Sequence, residues 1–238
     1  PQLGELRKNR IFIVFSVLER RRDEVDRVFD FIDRPFSQPR FRELLVSPNS
    51  MKTKLLQIIN NEIKNAKNGK EAWLRIKINH ITEADMVNKL YQASQAGVKI
   101  EVALRGNCSL VPGIPGVSDN IKVVGIIDRY LEHSRIIIAC NGGMPRYYIG
   151  SADWMPRNLL NRIEVLTPVY DLDMQRDLLR TVEYAVADTV RRNVVAQKWN
   201  NRRHAEESED YGRNPCKEIY QLPERKHEFF RAEGKKTD

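Results

Sequence analysis

Residues 73–104 constrain the fold more than any other stretch, because they read as strand, helix and strand closed within about 30 residues. Residues 73–78 (WLRIKI) alternate apolar and basic side chains, as a strand does. Thr82 with Asp85 three residues later resembles a capping box for a helix reaching about Ala96, and Gly97 closes it. Residues 98–104 form the second strand. A helix between two strands rules out a hairpin and predicts a right-handed crossover joining parallel strands. The fold class that follows is α/β. In open α/β sheets ligands collect beyond the carboxyl ends of the strands. Arg105 and Gly106 sit at such an end.

The rest of the chain supplies more of the same alphabet. Residues 10–18 (RIFIVFSVL) predict a buried strand. Residues 19–32 predict an amphipathic helix with Val25, Val28, Phe29 and Ile32 on one face, stopped near Pro35. A short strand over 41–46 ends at Ser47-Pro48. Asn49 or Ser50 then caps a helix to Lys67, with Leu55, Ile58, Ile59 and Ile63 inward and Asn68-Gly69 as its stop. Lys52, Lys54 and Lys64 read as its solvated face. Residues 107–120, with two Pro-Gly steps, read as an ordered loop. Strands follow at 121–127, 136–139, 146–149 and 163–166, with Asn141-Gly142-Gly143 as a hairpin turn. A long helix is expected over 171–190, with Leu178, Leu179, Val182 and Val186 inward. Composition changes at Arg191: residues 1–190 form the domain, and 191–238 a charged extension with a short helix or two and a frayed end after Gly234.

At 41% hydrophobic the chain can bury a core, which excludes wholesale disorder. The net charge of +8 favours an anionic partner without choosing among nucleic acid, membrane surface and phosphate-rich molecules. Cys108, Cys140 and Cys216 show no paired spacing, which argues against a zinc site or disulfide framework and fits a reducing compartment. No apolar run approaches the ~20 residues of a membrane span. The polar N-terminus lacks a signal-peptide core, and a chain beginning at Pro1 reads as a piece of something longer.

Chemistry-bearing residues concentrate in 131–165. His133 and Arg135 lie two apart and, in a strand, share a face. The following hairpin brings Ser151 and Asp153 alongside, also two apart. Together they can orient an imidazole and clamp a phosphate. Arg157, Asn158 and Arg162 follow, either lining a polyanion path or forming a salt-bridge network at the sheet edge. Trp154 reads as core packing. His80, His204 and His227 read as structural or solvated, and Cys140 as a buried small hydrophobe beside the site.

The order His-x-basic, strand, Gly-Ser-x-Asp resembles one half of the phospholipase D superfamily, whose motif is His-x-Lys-x4-Asp followed by Gly-Ser-x-Asn. Arg135 replaces the lysine and Cys140 stands where the aspartate would be, which speaks against phosphodiesterase activity. A closer resemblance rests on LRGNCSLVPGIPG, EHSR and YYIGSADWMPRN, with LLVSPNSMKTKLLQIINNEIKNAKNGKEA upstream. These segments resemble the last domain of bacterial polyphosphate kinases of the phosphohistidine type, over about residues 10–190 and on through the tail, which is an extension of the same domain.

That resemblance implies a phospholipase D-like domain, a mixed β-sheet flanked by helices with a charged C-terminal extension. It implies an enzyme that reversibly moves the terminal phosphate of ATP onto inorganic polyphosphate through a phosphohistidine in a preceding domain, which this chain lacks. The isolated chain is therefore expected to be inactive. By motif position Arg105 and His133 are the ATP-contacting pair, with His133 catalytic. Arg135, Ser151, Asp153, Arg157, Asn158 and Arg162 are phosphate-contacting candidates. The implied cofactor is Mg2+, with ligands mainly outside this chain, and no metal ligand is assigned here. The implied partners are ATP or ADP, polyphosphate, and the N-terminal, head and first catalytic domains of the same polypeptide, in a homo-oligomer. Nucleic acid is not an expected partner. The implied location is cytoplasmic, with peripheral association at the inner face of the membrane allowed. Two other classes stay open: a phospholipase D-like phosphodiesterase or nuclease acting as a homodimer, and a non-enzymatic polyanion-binding module.

Overall fold

The computed structural model describes residues 22–34, 36–126 and 131–187, and the backbone of 192–194. The strand expected at 10–18, and most of the charged extension, lie outside the described residues. The described elements are α1 (Arg22–Asp33), β1 (Leu45–Ser47), α2 (Met51–Lys67), β2 (Trp73–Ile78), α3 (Ala84–Gln95), β3 (Lys99–Leu104), β4 (Ile121–Ile126), β5 (Ile136–Ala139), β6 (Arg146–Gly150), β7 (Glu164–Val169), α4 (Leu172–Ala187) and β8 (Arg192–Val194). The eight strands make one mixed sheet in the order β1-β7-β6-β5-β2-β3-β4-β8. β2, β3 and β4 are parallel neighbours, as the crossover requires, and β5 joins β2 antiparallel, as do β6 to β5 and β7 to β6. The sheet has the mixed, helix-flanked build expected of a phospholipase D-like domain.

Both faces are covered, and β5 (IIIA) reads as a continuous apolar run buried throughout, while β2 keeps its alternation of apolar and basic residues. Leu74, Ile76 and Ile78 of β2 face α2 and α3 in the larger core, with Leu55, Ile59, Met86 and Leu90. Ile136 and Ile138 of β5 face the other way, against Val182, Ala185 and Val186 of α4. No helix among the described residues is long and apolar enough to cross a membrane.

Four local expectations are corrected. Residues 41–44 are not strand. The Glu24 carboxylate accepts the N–H groups of Arg42, Glu43 and Leu44, and Lys54 Nζ donates to the carbonyls of Phe41, Arg42 and Leu44 at 2.7, 3.0 and 2.9 Å. Two side chains thus take the backbone groups a ladder would use, and only Leu45–Ser47 pairs. The same contact turns α1, so that Glu24, Val28 and Phe31 are buried while Phe29 and Ile32 are exposed.

Lys52 and Lys54 are consequently not a solvated face. Lys52 bridges Glu83 and Asp85 at 2.9 and 2.6 Å, and the hydrogen bonds it donates to Asp85 and Glu83 raise its pKa. Burial lowers that of Lys54, against the attraction of Glu24 and Glu43. Lys64 is exposed, as expected. Finally, Glu83 rather than Thr82 caps α3, its carboxylate accepting the Met86 N–H at 2.9 Å.

Candidate functional site

The strand directions bring four sequence-distant segments to one end of the sheet. β2, β3 and β6 all terminate there, and β5 begins there, since Lys77 pairs with Ile136 and Ile149 with Ile136. The segments beyond those ends are Asn79-His80, Arg105-Gly106-Asn107, residues 131–135 and Ser151 to Trp154. They are laced together by backbone bonds: Gly106 N to Asn79 O at 2.8 Å, Trp154 N to His80 O at 3.0 Å, and Ile81 N to Asn107 O at 2.9 Å. A side chain at 106 could not fit, because its Cβ would lie 2.2 Å from His80 Cε1. His80 Nδ1 accepts the Asn107 N–H at 2.9 Å, a structural use that matches its expected one.

Residues 131–135 alternate between two anchorages. Lys77, buried on β2, donates to Glu132 Oε2 at 2.6 Å and to Ser134 Oγ at 2.7 Å. His133 and Arg135 take partners in the other cluster. Arg135 Nε and Nη2 grip the two carboxylate oxygens of Asp153 at 3.2 and 3.0 Å, and Nη1 donates to the His133 carbonyl at 3.0 Å. The two residues thus share a side, as their spacing predicts, although both precede β5 rather than lie within it. Burial pushes the Asp153 carboxyl up. The Arg135 hydrogen bond and charge and the Asn79 donors outweigh it, and hold the pKa below its ordinary value.

From Asp153 the network continues through Asn79. Asp153 Oδ1 accepts from Asn79 N at 3.0 Å and from Asn79 Nδ2 at 3.1 Å. Asn79 Oδ1 accepts from Arg105 Nε at 3.1 Å, and Arg105 Nη2 lies 3.2 Å from His133 Nδ1. A guanidinium has only donors, so a hydrogen bond here assigns His133 Nδ1 as the acceptor, in the tautomer that carries its proton on Nε2. Arg105 is half-buried and His133 exposed. The outcome is a cation and a proton-bearing imidazole held side by side at a sheet end. Such an arrangement can neutralise phosphoryl oxygens and donate a hydrogen bond or proton to them.

The other expected residues fall elsewhere. The Ser151 hydroxyl donates to the Glu164 carboxylate, and Asn158 Nδ2 donates to Glu164 Oε1 at 2.7 Å. Glu164, not Arg105 or His133, is what Ser151 and Asn158 share. Asn158 is buried, and its carbonyl accepts from Ser47 Oγ at 2.6 Å. Arg157 and Arg162 are exposed at the two ends of the π-helical turn that leaves this sheet end. Trp154 is core, 1% exposed. Cys140 is buried, and burial raises its thiol pKa, but it follows β5 and so lies at the opposite end of that strand from His133. The expectation that it adjoins the site is therefore wrong. His204 and His227 lie outside the described residues.

Asn79 and Lys77 were not singled out in the sequence. The signal was present in KINH: a lysine at a core-strand position and an amide immediately past the strand end. Nothing local says which partners, 55 to 74 residues away, they meet. No group of three or more His, Cys, Asp or Glu side chains is placed to hold a metal ion among the described residues.

Comparison with known proteins identifies relatives for this arrangement. The family model described as polyphosphate kinase C-terminal domain 2 matches residues 44–214. Polyphosphate kinases of Vibrio parahaemolyticus serotype O3:K6 and Escherichia coli K12 are 44% and 39% identical, each over 81% of this chain and 28% of their own length. The crystal structure of polyphosphate kinase from Porphyromonas gingivalis superposes with a TM-score of 0.80 at 37% identity, over 86% of this chain and 31% of that one. The chain thus spans under a third of the length of these relatives.

Proposed function

The chain belongs to the polyphosphate kinase C-terminal domain 2 family, and we propose that it is the part of a polyphosphate kinase that presents a cation and an imidazole to the phosphoryl group in transfer. In the full-length enzyme the terminal phosphate of ATP passes reversibly to inorganic polyphosphate through a phosphohistidine carried by a preceding domain. The observation that carries this reading is the Arg105–His133 pair, at 3.2 Å, held at the carboxyl ends of β2 and β3.

Phosphoryl transfer has little covalent work for these residues, so positioning and charge dominate. Arg105 neutralises developing charge on the transferring oxygens. His133, with its proton on Nε2, donates to a phosphate oxygen opposite the phosphohistidine. Arg157 and Arg162 extend the cationic surface along the path of the polymer. Arg135 and Asp153 act on phosphate indirectly, through the geometry they impose on His133 and Arg105. Mg2+ accompanies the nucleotide in this proposal, but no cluster among the described residues fits the ion, and no step is routed through it. The working location is the cytoplasm, where ATP is available, and the working form is the full-length homo-oligomer.

The test is made in the full-length protein. Arg105→Ala and His133→Ala should each lower ATP-dependent polyphosphate synthesis by roughly 100-fold or more. Rates close to the unaltered enzyme would refute the assignment.

A further inference from the structure

We propose that Asn79 is a positioning residue, the link through which the buried Asp153–Arg135 pair sets the direction of the Arg105 guanidinium. The inference rests on the reading of Arg105 given above. An amide can be flipped end for end with little change of shape, and only its partners decide which end faces which neighbour. Here the decision is forced. Asp153 is held by Nε and Nη2 of Arg135 and offers only acceptors to Asn79, which must give it Nδ2 together with its own backbone N–H. Oδ1 is thereby turned to Arg105, where it accepts Nε–H at 3.1 Å.

Fixing Nε fixes the plane of the whole guanidinium, because that group is rigid. Nη2 then lies toward His133. Asn79 is 1% exposed and immediately follows the last residue of β2, so its own placement is set by the sheet. Arg105, by contrast, follows the end of β3 on a long, half-exposed side chain that would otherwise sample many rotamers. Asn79 reaches His133 through Arg105. Its contribution is to remove that freedom before the phosphate arrives.

A double-mutant cycle in the full-length enzyme separates positioning from simple support of the fold. Asn79→Ala should lower kcat/KM for ATP-dependent synthesis by about 10- to 100-fold. In the Arg105→Ala background it should cost nothing further, since there is no guanidinium left to orient. The same loss in both backgrounds, or no loss in either, overturns the proposal. Arg105→Ala at the unaltered rate overturns the functional reading itself, and this inference with it, and is seen separately from the Asn79 arm. Should Asn79→Ala not fold, Asn79→Ser carries the cycle, because its hydroxyl supplies a polar atom toward Asp153 yet is too short to meet Arg105. A further arm needs no substitution: with 15N-labelled arginine, the Arg105 Nε–H should exchange with solvent more slowly than those of Arg157 and Arg162. Equal exchange overturns the proposal.

Discussion

Replacing Arg135 with Leu removes the cation that grips both oxygens of Asp153 and the donor to the His133 carbonyl. The Asp153 side chain is 7% exposed, so its charge cannot be recovered by water. Breaking a buried ion pair from one side costs about 3–5 kcal/mol. Asn79 still supplies two donors, which places the expected loss near the lower end, about 3 kcal/mol at neutral pH. The pH dependence gives the sharper test. In the unaltered protein the folded pKa of Asp153 lies below the reference value of 3.8. Its stabilising contribution is therefore complete above 3.8 and is lost as pH falls through the lower folded value. Without Arg135, burial is the dominant influence left and the folded pKa should rise above 3.8. The variant then gains stability as pH falls from neutral toward 3.8, because Asp153 neutralises. Urea unfolding followed by circular dichroism should show a difference between the two proteins that is largest near neutrality and narrows on acidification. A difference independent of pH, or one that widens toward acid, would refute this account of Asp153.

Lys54→Met should destabilise by about 3 kcal/mol, from three charge-assisted bonds to the carbonyls of residues 41, 42 and 44 at roughly 1 kcal/mol net each. Thermal unfolding checks it, and an unchanged midpoint would restore the solvated-face reading. Gly150→Ala should destabilise by about 1–3 kcal/mol, because the new Cβ would lie 2.1 Å from the Val165 carbonyl oxygen and 2.8 Å from Leu166 Cα, across the β6–β7 ladder. Proteolysis rates of the folded protein report the opened ladder, and unaltered resistance would count against so close a contact.

Several of the residues that meet at this sheet end are legible in the sequence. His133 and Arg135 were on the page as a pair because a two-residue spacing survives even where the segment makes no ladder. Arg105 is a candidate from the sequence because it sits at a strand end, where open α/β sheets gather ligands. What could not be read was the use of Ser151 and Asn158, since both candidate phosphate contacts share Glu164. Nor could the tie from Glu24 and Lys54 to residues 41–44 be read, because a β-rich run carries no mark that its backbone groups are already taken.

The sequence by itself determined most of the strands and helices, the parallel crossover and the inward faces of α2 and α4. Those follow from side-chain period and from turn chemistry, which act over a few residues. The order β6-β5-β2-β3 was decided only in three dimensions. It sets Asn79 beside Asp153, 74 residues on, and Arg105 beside His133, 28 residues on. A hydrogen bond depends on distance and angle between groups that the sheet alone brings together. Thus Arg105, His133, Arg135 and Asp153 could be named as candidates from the chain, while Asn79, Lys77 and the network that joins them had to come from the fold.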